Sequence, residues 1–244
     1  MFRNILAKAK FSTSTSATPA APEKYNAGMQ FFHWGMGGAI MACLGLVQYK
    51  QSLPAVTDEE KKVVGNLMMY HKSFGLIVSG LMVPRILTKI VSKAPPGPSI
   101  KALSVLSKVS HWGMYGLVSF LCISGINMGY QSGYGVPFFG IATTPHVPVE
   151  QANGPAAQYA FKLHKYCGVA LEYAVALHVA GFAFHLLTGH NLLTRLNGPV
   201  GSIFMAMPWI AIAGAVAYST KPDKLPEFKN WMSPPDMGPV QKKD

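Results

Sequence analysis

The sequence predicts an all-α membrane protein, a polytopic transmembrane four-helix bundle followed by a fifth transmembrane helix. Half of the 244 residues are hydrophobic and only 13% are charged. Four apolar stretches each have roughly the ~20 residues that a helix needs to cross the hydrocarbon core of a bilayer. Histidines lie inside these stretches, where an ionisable side chain is costly and usually marks function.

The elements follow one another along the chain, and a long loop, 131–158, joins the third and fourth spans. A fifth stretch, 201–219, has no charged residue and only just meets the length criterion, so a helix lying on the membrane surface is the alternative. Pro208 inside it is compatible with a membrane helix. The first four spans cover residues 29–49, 63–91, 107–130 and 159–188. The domain organisation is therefore an N-terminal segment 1–28, a four-helix domain 29–196, the fifth helix 197–220 and a polar tail 221–244.

The N-terminal segment 1–28 resembles a mitochondrial presequence. It contains basic residues and many hydroxyl side chains, and no acid precedes Glu23. A solvated basic tail is the alternative interpretation.

The net charge of +11 is distributed unevenly between the connections. Basic residues dominate 1–28, 85–108 and 189–200, whereas 50–62 balances three cations with three acids and 131–158 contains one acid and no Lys or Arg. Positive loops mark the inner side of a membrane. The N-terminus and the 92–107 connection are therefore predicted to lie inside, which in a mitochondrion is the matrix. The pattern points to a lipid bilayer as partner and away from nucleic acid.

Four histidines have a spacing that suits two stacked haem irons. His164 and His178 are fourteen residues apart, about 21 Å along one helix and within about 40° of one face. The predicted orientation puts His33 and His178 near the inner side, and His71 and His164 near the outer side. Two neutral imidazoles are good axial ligands for haem iron and leave no open coordination position. The alternative is that these histidines form hydrogen bonds between packed helices.

Glycines accompany these histidines at helical spacing. The segments 71–75 and 164–168 share His-Lys-x-x-Gly, and Gly37 follows His33 by four residues. Residues four apart share a helix face, so a glycine there removes the side chain that would block a flat macrocycle. Gly37, Gly75 and Gly168 are therefore predicted to contact the cofactor.

Other charged and imidazole groups have predicted secondary roles. Arg85 lies fourteen residues after His71, where it would meet the propionates of the inner haem, and Lys72 and Lys165 would do so for the outer haem. Ordinary snorkelling at a helix end is the alternative for each cation. Two further histidines are weaker ligand candidates. His111 opens a His-Trp-Gly-Met sequence also found at residue 33, and His185 shares a helix face with His178.

Residues 29–196 resemble the bacterial-type dihaem cytochrome b561 family, which is related to hydrogenase cytochrome b subunits. No single motif is specific, but the motifs occur in the family's order over most of the chain. They are Phe32-His33-Trp34, His71-Lys72-x-x-Gly75 followed by Pro84-Arg85, His111 with Tyr115, His164 with His178, and Asn191-Leu192-Leu193-x-Arg195.

The resemblance implies two haem b groups and electron exchange with ubiquinone. In some family members superoxide is the donor at the outer face, and in others a partner subunit is. Combined with the presequence-like segment, it implies a version in the mitochondrial inner membrane. The extra terminal segments leave open an accessory subunit of a respiratory complex that keeps this fold. A one-haem anchor resembling that of succinate dehydrogenase is a third interpretation.

Overall fold

The computed structural model describes residues 24–93, 95, 101–188 and 192–196. Four long helices dominate this part of the chain, and each is long and apolar enough to cross a membrane. They are α1 (Ala27–Ser52), α2 (Asp58–Val91), α3 (Lys101–Gln131) and α4 (Gly154–Leu187). The all-α class and the four predicted spans are confirmed. The predicted fifth helix and most of the presequence-like segment lie outside the described residues.

All four helices begin before the predicted spans, and polar side chains cap three of them. The Asn26 side chain accepts a hydrogen bond from the Met29 N–H at 2.8 Å, and Asn153 caps α4 in the same way. Thr57 and Glu60 form a reciprocal capping box at the start of α2. Such caps satisfy the free N–H groups of the first turn. The first turn of α2 contains Asp58, Glu59 and Glu60, so hydropathy alone places this boundary later.

The helices pack as two helical hairpins. Contacts are most extensive between α1 and α2 and between α3 and α4. A buried apolar cluster joins all four helices in the middle of the bundle. It comprises Met36, Ala39, Val78, Met82, Val118 and Leu171. The outward faces are also apolar: Val83, Ile123 and Tyr173 each expose more than half of their surface. Exposed apolar faces of this kind suit contact with lipid.

The connection between α3 and α4, predicted as a loop, contains a small β-hairpin. Strands β1 (Pro137–Phe138) and β2 (Ala142–Thr143) pair antiparallel, and a 3-10 helix (Val149–Gln151) follows. The hairpin rests on α2, because the Phe139 N–H donates to the fully buried Ser73 Oγ at 2.8 Å. The Phe139 ring lies 5.6 Å from that of Phe74. The hairpin therefore covers α2 close to His71.

A short helix, α5 (Leu193–Leu196), lies next to the beginning of α1. The Trp34 indole donates to the Leu196 carbonyl at 3.2 Å, and the Tyr25 N–H donates to the Arg195 carbonyl at 3.1 Å. These bonds connect the segment after α4 to the residues around His33.

Candidate functional site

The four predicted histidines form two pairs at opposite ends of the bundle. The ring centroids of His33 and His178 are 6.2 Å apart, and those of His71 and His164 are also 6.2 Å apart. We call these two places the His33 level and the His71 level. On α4 the levels are fourteen residues apart, or about 21 Å. The structure brings together the pairs that the sequence predicts, and their role as ligands stays a prediction.

The spacing within each pair suits a metal ion held between two imidazoles. Metal–imidazole nitrogen bonds of about 2.0–2.1 Å, plus about 1.1 Å from each nitrogen to its ring centroid, place trans rings about 6.3 Å apart. Both observed pairs agree with that distance. Within the described ranges, no three or more His, Cys, Asp or Glu side chains are grouped so that they could hold a metal ion by themselves. A haem iron needs only two protein ligands, because its macrocycle supplies the other bonds.

Hydrogen bonds orient both rings at the His71 level. The His71 Nδ1–H donates to the Cys43 carbonyl at 3.0 Å. His164 Nδ1 lies 2.9 Å from Ser124 Oγ, whose own hydroxyl donates to the Leu121 carbonyl at 3.2 Å. Metal-ligating histidines commonly donate their other ring nitrogen in this way, which fixes the tautomer. Nε2 is then the nitrogen that keeps a lone pair for a metal.

A cavity of about 350 Å³ lies at the His33 level, a size typical of ligand sites. Its lining is mostly apolar, with His33, His178 and Gly37 among the lining residues. A Cβ atom added at Gly37 would meet nothing within 4 Å, and the same holds at Gly75 and Gly168. Open space therefore lies beside all three predicted glycines, as a flat macrocycle requires.

Arg85 brings a buried positive charge to this cavity. Only 8% of its surface is exposed, its Nη1 lies 3.0 Å from Met29 Sδ, and its Cζ lies 5.7 Å from the Tyr115 ring centroid. No carboxylate of the described residues forms a salt bridge with it. A buried charge is costly unless it is paired. The residues present thus fit an acidic group in the cavity, such as a haem propionate.

His111 is a third imidazole at the His33 level. Its ring centroid is 5.3 Å from that of His178, and its Nδ1–H donates to the Ser107 carbonyl at 2.6 Å. It lines the cavity, whereas His185 does not and lies against Phe184. The repeated His-Trp-Gly-Met sequence was the signal for His111.

The two predicted lysines directly follow histidines of the His71 level. Lys72 is half-buried on α2, and Lys165 is exposed on α4. Their pairing with propionates stays a prediction.

Sequence reasoning missed the Cys43 carbonyl and Ser124 as partners of the histidines. Both contacts depend on how neighbouring helices are rotated against each other, and no sequence motif marks them.

Residues 24–199 match the family model of prokaryotic cytochrome b561. This range covers more than half of the chain and includes the four long helices and both histidine pairs. A comparison with curated proteins found no match.

Proposed function

The chain belongs to the prokaryotic cytochrome b561 family, and from this premise we propose a dihaem cytochrome that exchanges electrons with ubiquinone. Membership alone makes the chain a membrane b-type cytochrome of electron transfer that binds haem b. The number of haems, the quinone and the membrane in which the protein works are our proposal. The lipid bilayer is its immediate surroundings, since four helices are suited to span it.

The observation that carries the proposal is the equal spacing of the two histidine pairs, 6.2 Å in each. His33 and His178 would hold one haem b, and His71 and His164 the other. When bound, each haem iron supplies reversible one-electron oxidation and reduction. With two imidazoles at each haem, these residues would leave no coordination position open and would keep water and oxygen from the iron.

Neighbouring residues orient the histidine rings and offer a partner for an acidic group of the cofactor. The Cys43 carbonyl and Ser124 hold the rings of His71 and His164 in a single tautomer. Arg85 offers a charge-assisted bond to an acidic group at the His33 level. The apolar cluster between the levels excludes water from the middle of the bundle.

We place the protein in the mitochondrial inner membrane with its N-terminus in the matrix. The basic, acid-poor start of the chain supports import into mitochondria. The alternation of basic and balanced connections supports the orientation. The His33 level then lies toward the matrix and the His71 level toward the opposite face.

Electron transfer with the quinone tests the proposal directly. Oxidised full-length protein in proteoliposomes is mixed with decylubiquinol, and the haem α-band and the quinone absorbance are followed together. We expect haem reduction with matching quinol oxidation, and the reverse when reduced protein meets decylubiquinone. Unchanged spectra in both directions would contradict a quinone-linked role. A parallel sample with a superoxide generator tests superoxide as donor, because superoxide dismutase should then abolish haem reduction.

A further inference from the structure

Glu172 is a carboxylate within the membrane-spanning helix α4. The other acids of the described residues lie in the first turn of α2 or in the 3-10 helix. Glu172 follows His164 by eight residues and precedes His178 by six, or about 12 Å and about 9 Å along the helix. It therefore lies between the two histidine levels. A charged side chain within a bilayer is costly, so such a residue is a functional-site candidate.

The partner of Glu172 comes from α1. The Gln48 Nε2 donates a hydrogen bond to Glu172 Oε1 at 2.7 Å. Gln48 is exposed and Glu172 is half-buried, and neither lines the cavity at the His33 level. Helices α1 and α4 belong to different helical hairpins and make few direct contacts. The pair thus forms a polar patch at the seam between the hairpins, open toward lipid.

The patch extends from the interior of α4 toward the C-terminal end of α1. Gln48 lies two residues before Lys50 and four residues before the end of α1 at Ser52. Glu172 lies seven residues, or about 10 Å, further along α4 than Lys165, a cation suited to the membrane interface. Headgroups lie outside the hydrocarbon core. A ligand that contacts both side chains must therefore extend inward from the membrane interface, with polar groups on an otherwise apolar molecule.

The polar atoms of Gln48 and Glu172 suit a ligand that both donates and accepts hydrogen bonds. Glu172 Oε2 accepts no hydrogen bond from the described residues, and the Gln48 side chain also carries a carbonyl oxygen. A carboxylate accepts a hydrogen bond from a hydroxyl, and its protonated form donates one to a carbonyl. A quinol presents a hydroxyl, and a quinone presents a carbonyl.

We infer that Gln48 and Glu172 bind the head group of a membrane quinone at the seam between the two helical hairpins. This inference rests on the proposed function, since it gives a location to the quinone exchange proposed there. Glu172 itself lies between the two histidine levels, within about 12 Å of each along α4, and Gln48 reaches it from the C-terminal end of α1.

Photolabelling tests the location independently of turnover. Haem-loaded full-length protein in nanodiscs is illuminated with an azido-ubiquinone, and labelled peptides are identified by mass spectrometry. We expect labels near Gln48 and Glu172, displaced by decylubiquinone and not by 1-decanol. Glu172→Leu and Gln48→Leu should lower this labelling about tenfold or more, as expected for a lost hydrogen bond to a charged group. Glu150→Leu, at an exposed acid outside the long helices, is the matched control and should not change it.

The outcomes separate the location from the proposed function. Wild-type protein without any displaceable label would contradict the quinone-linked function itself. Labelling elsewhere that Glu172→Leu leaves unchanged would overturn the location alone. Competition by 1-decanol as strong as that by decylubiquinone would also overturn it, because the patch would then bind any amphiphile. Glu172→Gln keeps the side-chain shape, so reduced labelling with normal haem content in this variant excludes misfolding as the cause.

Discussion

Replacing Ser124 with alanine should loosen the haem at the His71 level. In the native structure the Ser124 hydroxyl lies 2.9 Å from His164 Nδ1, and Ser124 is only 6% exposed. The alanine removes this hydroxyl from the His164 N–H, in a place that water reaches poorly, and leaves the Leu121 carbonyl as its remaining acceptor. Loss of such an outer partner typically lowers metal affinity 10–100-fold, or about 1.4–2.7 kcal/mol. Because water reaches this site poorly, we expect the loss of haem affinity to lie in the upper half of that range.

The assay is the rate at which haem passes from the purified protein to excess apomyoglobin. Ser124→Ala should release one haem at least about tenfold faster than wild type while the other haem leaves at the normal rate. Ser79→Ala is the control, because the Ser79 hydroxyl bonds the Gly75 carbonyl of its own helix and touches no histidine ring. Equal rates of haem release from Ser124→Ala, Ser79→Ala and wild type would show that Ser124 does not stabilise the haem at the His71 level.

Three further substitutions test the open space beside Gly37, the charge of Arg85 and the Thr57 cap of α2. Gly37→Leu should fill the open space beside the His33 level and remove one haem, measured by haem content, whereas Gly80→Leu on an exposed face should keep both. Arg85→Met should lower the midpoint potential of one haem in a redox titration, since a nearby positive charge favours the reduced state; an unchanged potential would argue against this placement of Arg85. Thr57→Ala should destabilise the start of α2 by about 1 kcal/mol in thermal unfolding, with normal haem spectra.

The sequence was sufficient to predict the long helices and which histidines lie near each other. Uninterrupted apolar stretches determine where helices cross a membrane. The fourteen-residue interval between His164 and His178 sets two depths on one helix, and alternating helix directions then assign His33 and His71 to them. These properties depend on one dimension, the position along the helix axis.

Contacts that depend on helix rotation and tilt were not predictable. Ser124 faces His164, and Gln48 reaches Glu172, only because neighbouring helices adopt particular angles about their axes. The β-hairpin over α2 was also missed. Its strands are two residues each, and its anchor is the single hydroxyl of Ser73. Neither feature produces a periodic pattern in the sequence.

The haem content of histidine variants shows whether each histidine pair holds one haem. A pyridine haemochrome assay on purified wild type should give about two b-type haems per chain, as two bis-histidine sites require. His71→Ala or His164→Ala should each leave the same single haem. His33→Ala or His178→Ala should leave the other, recognisable by a different α-band. A wild-type chain with one haem or none, or variants whose haem losses do not follow these pairs, would contradict two haem sites held by these histidine pairs.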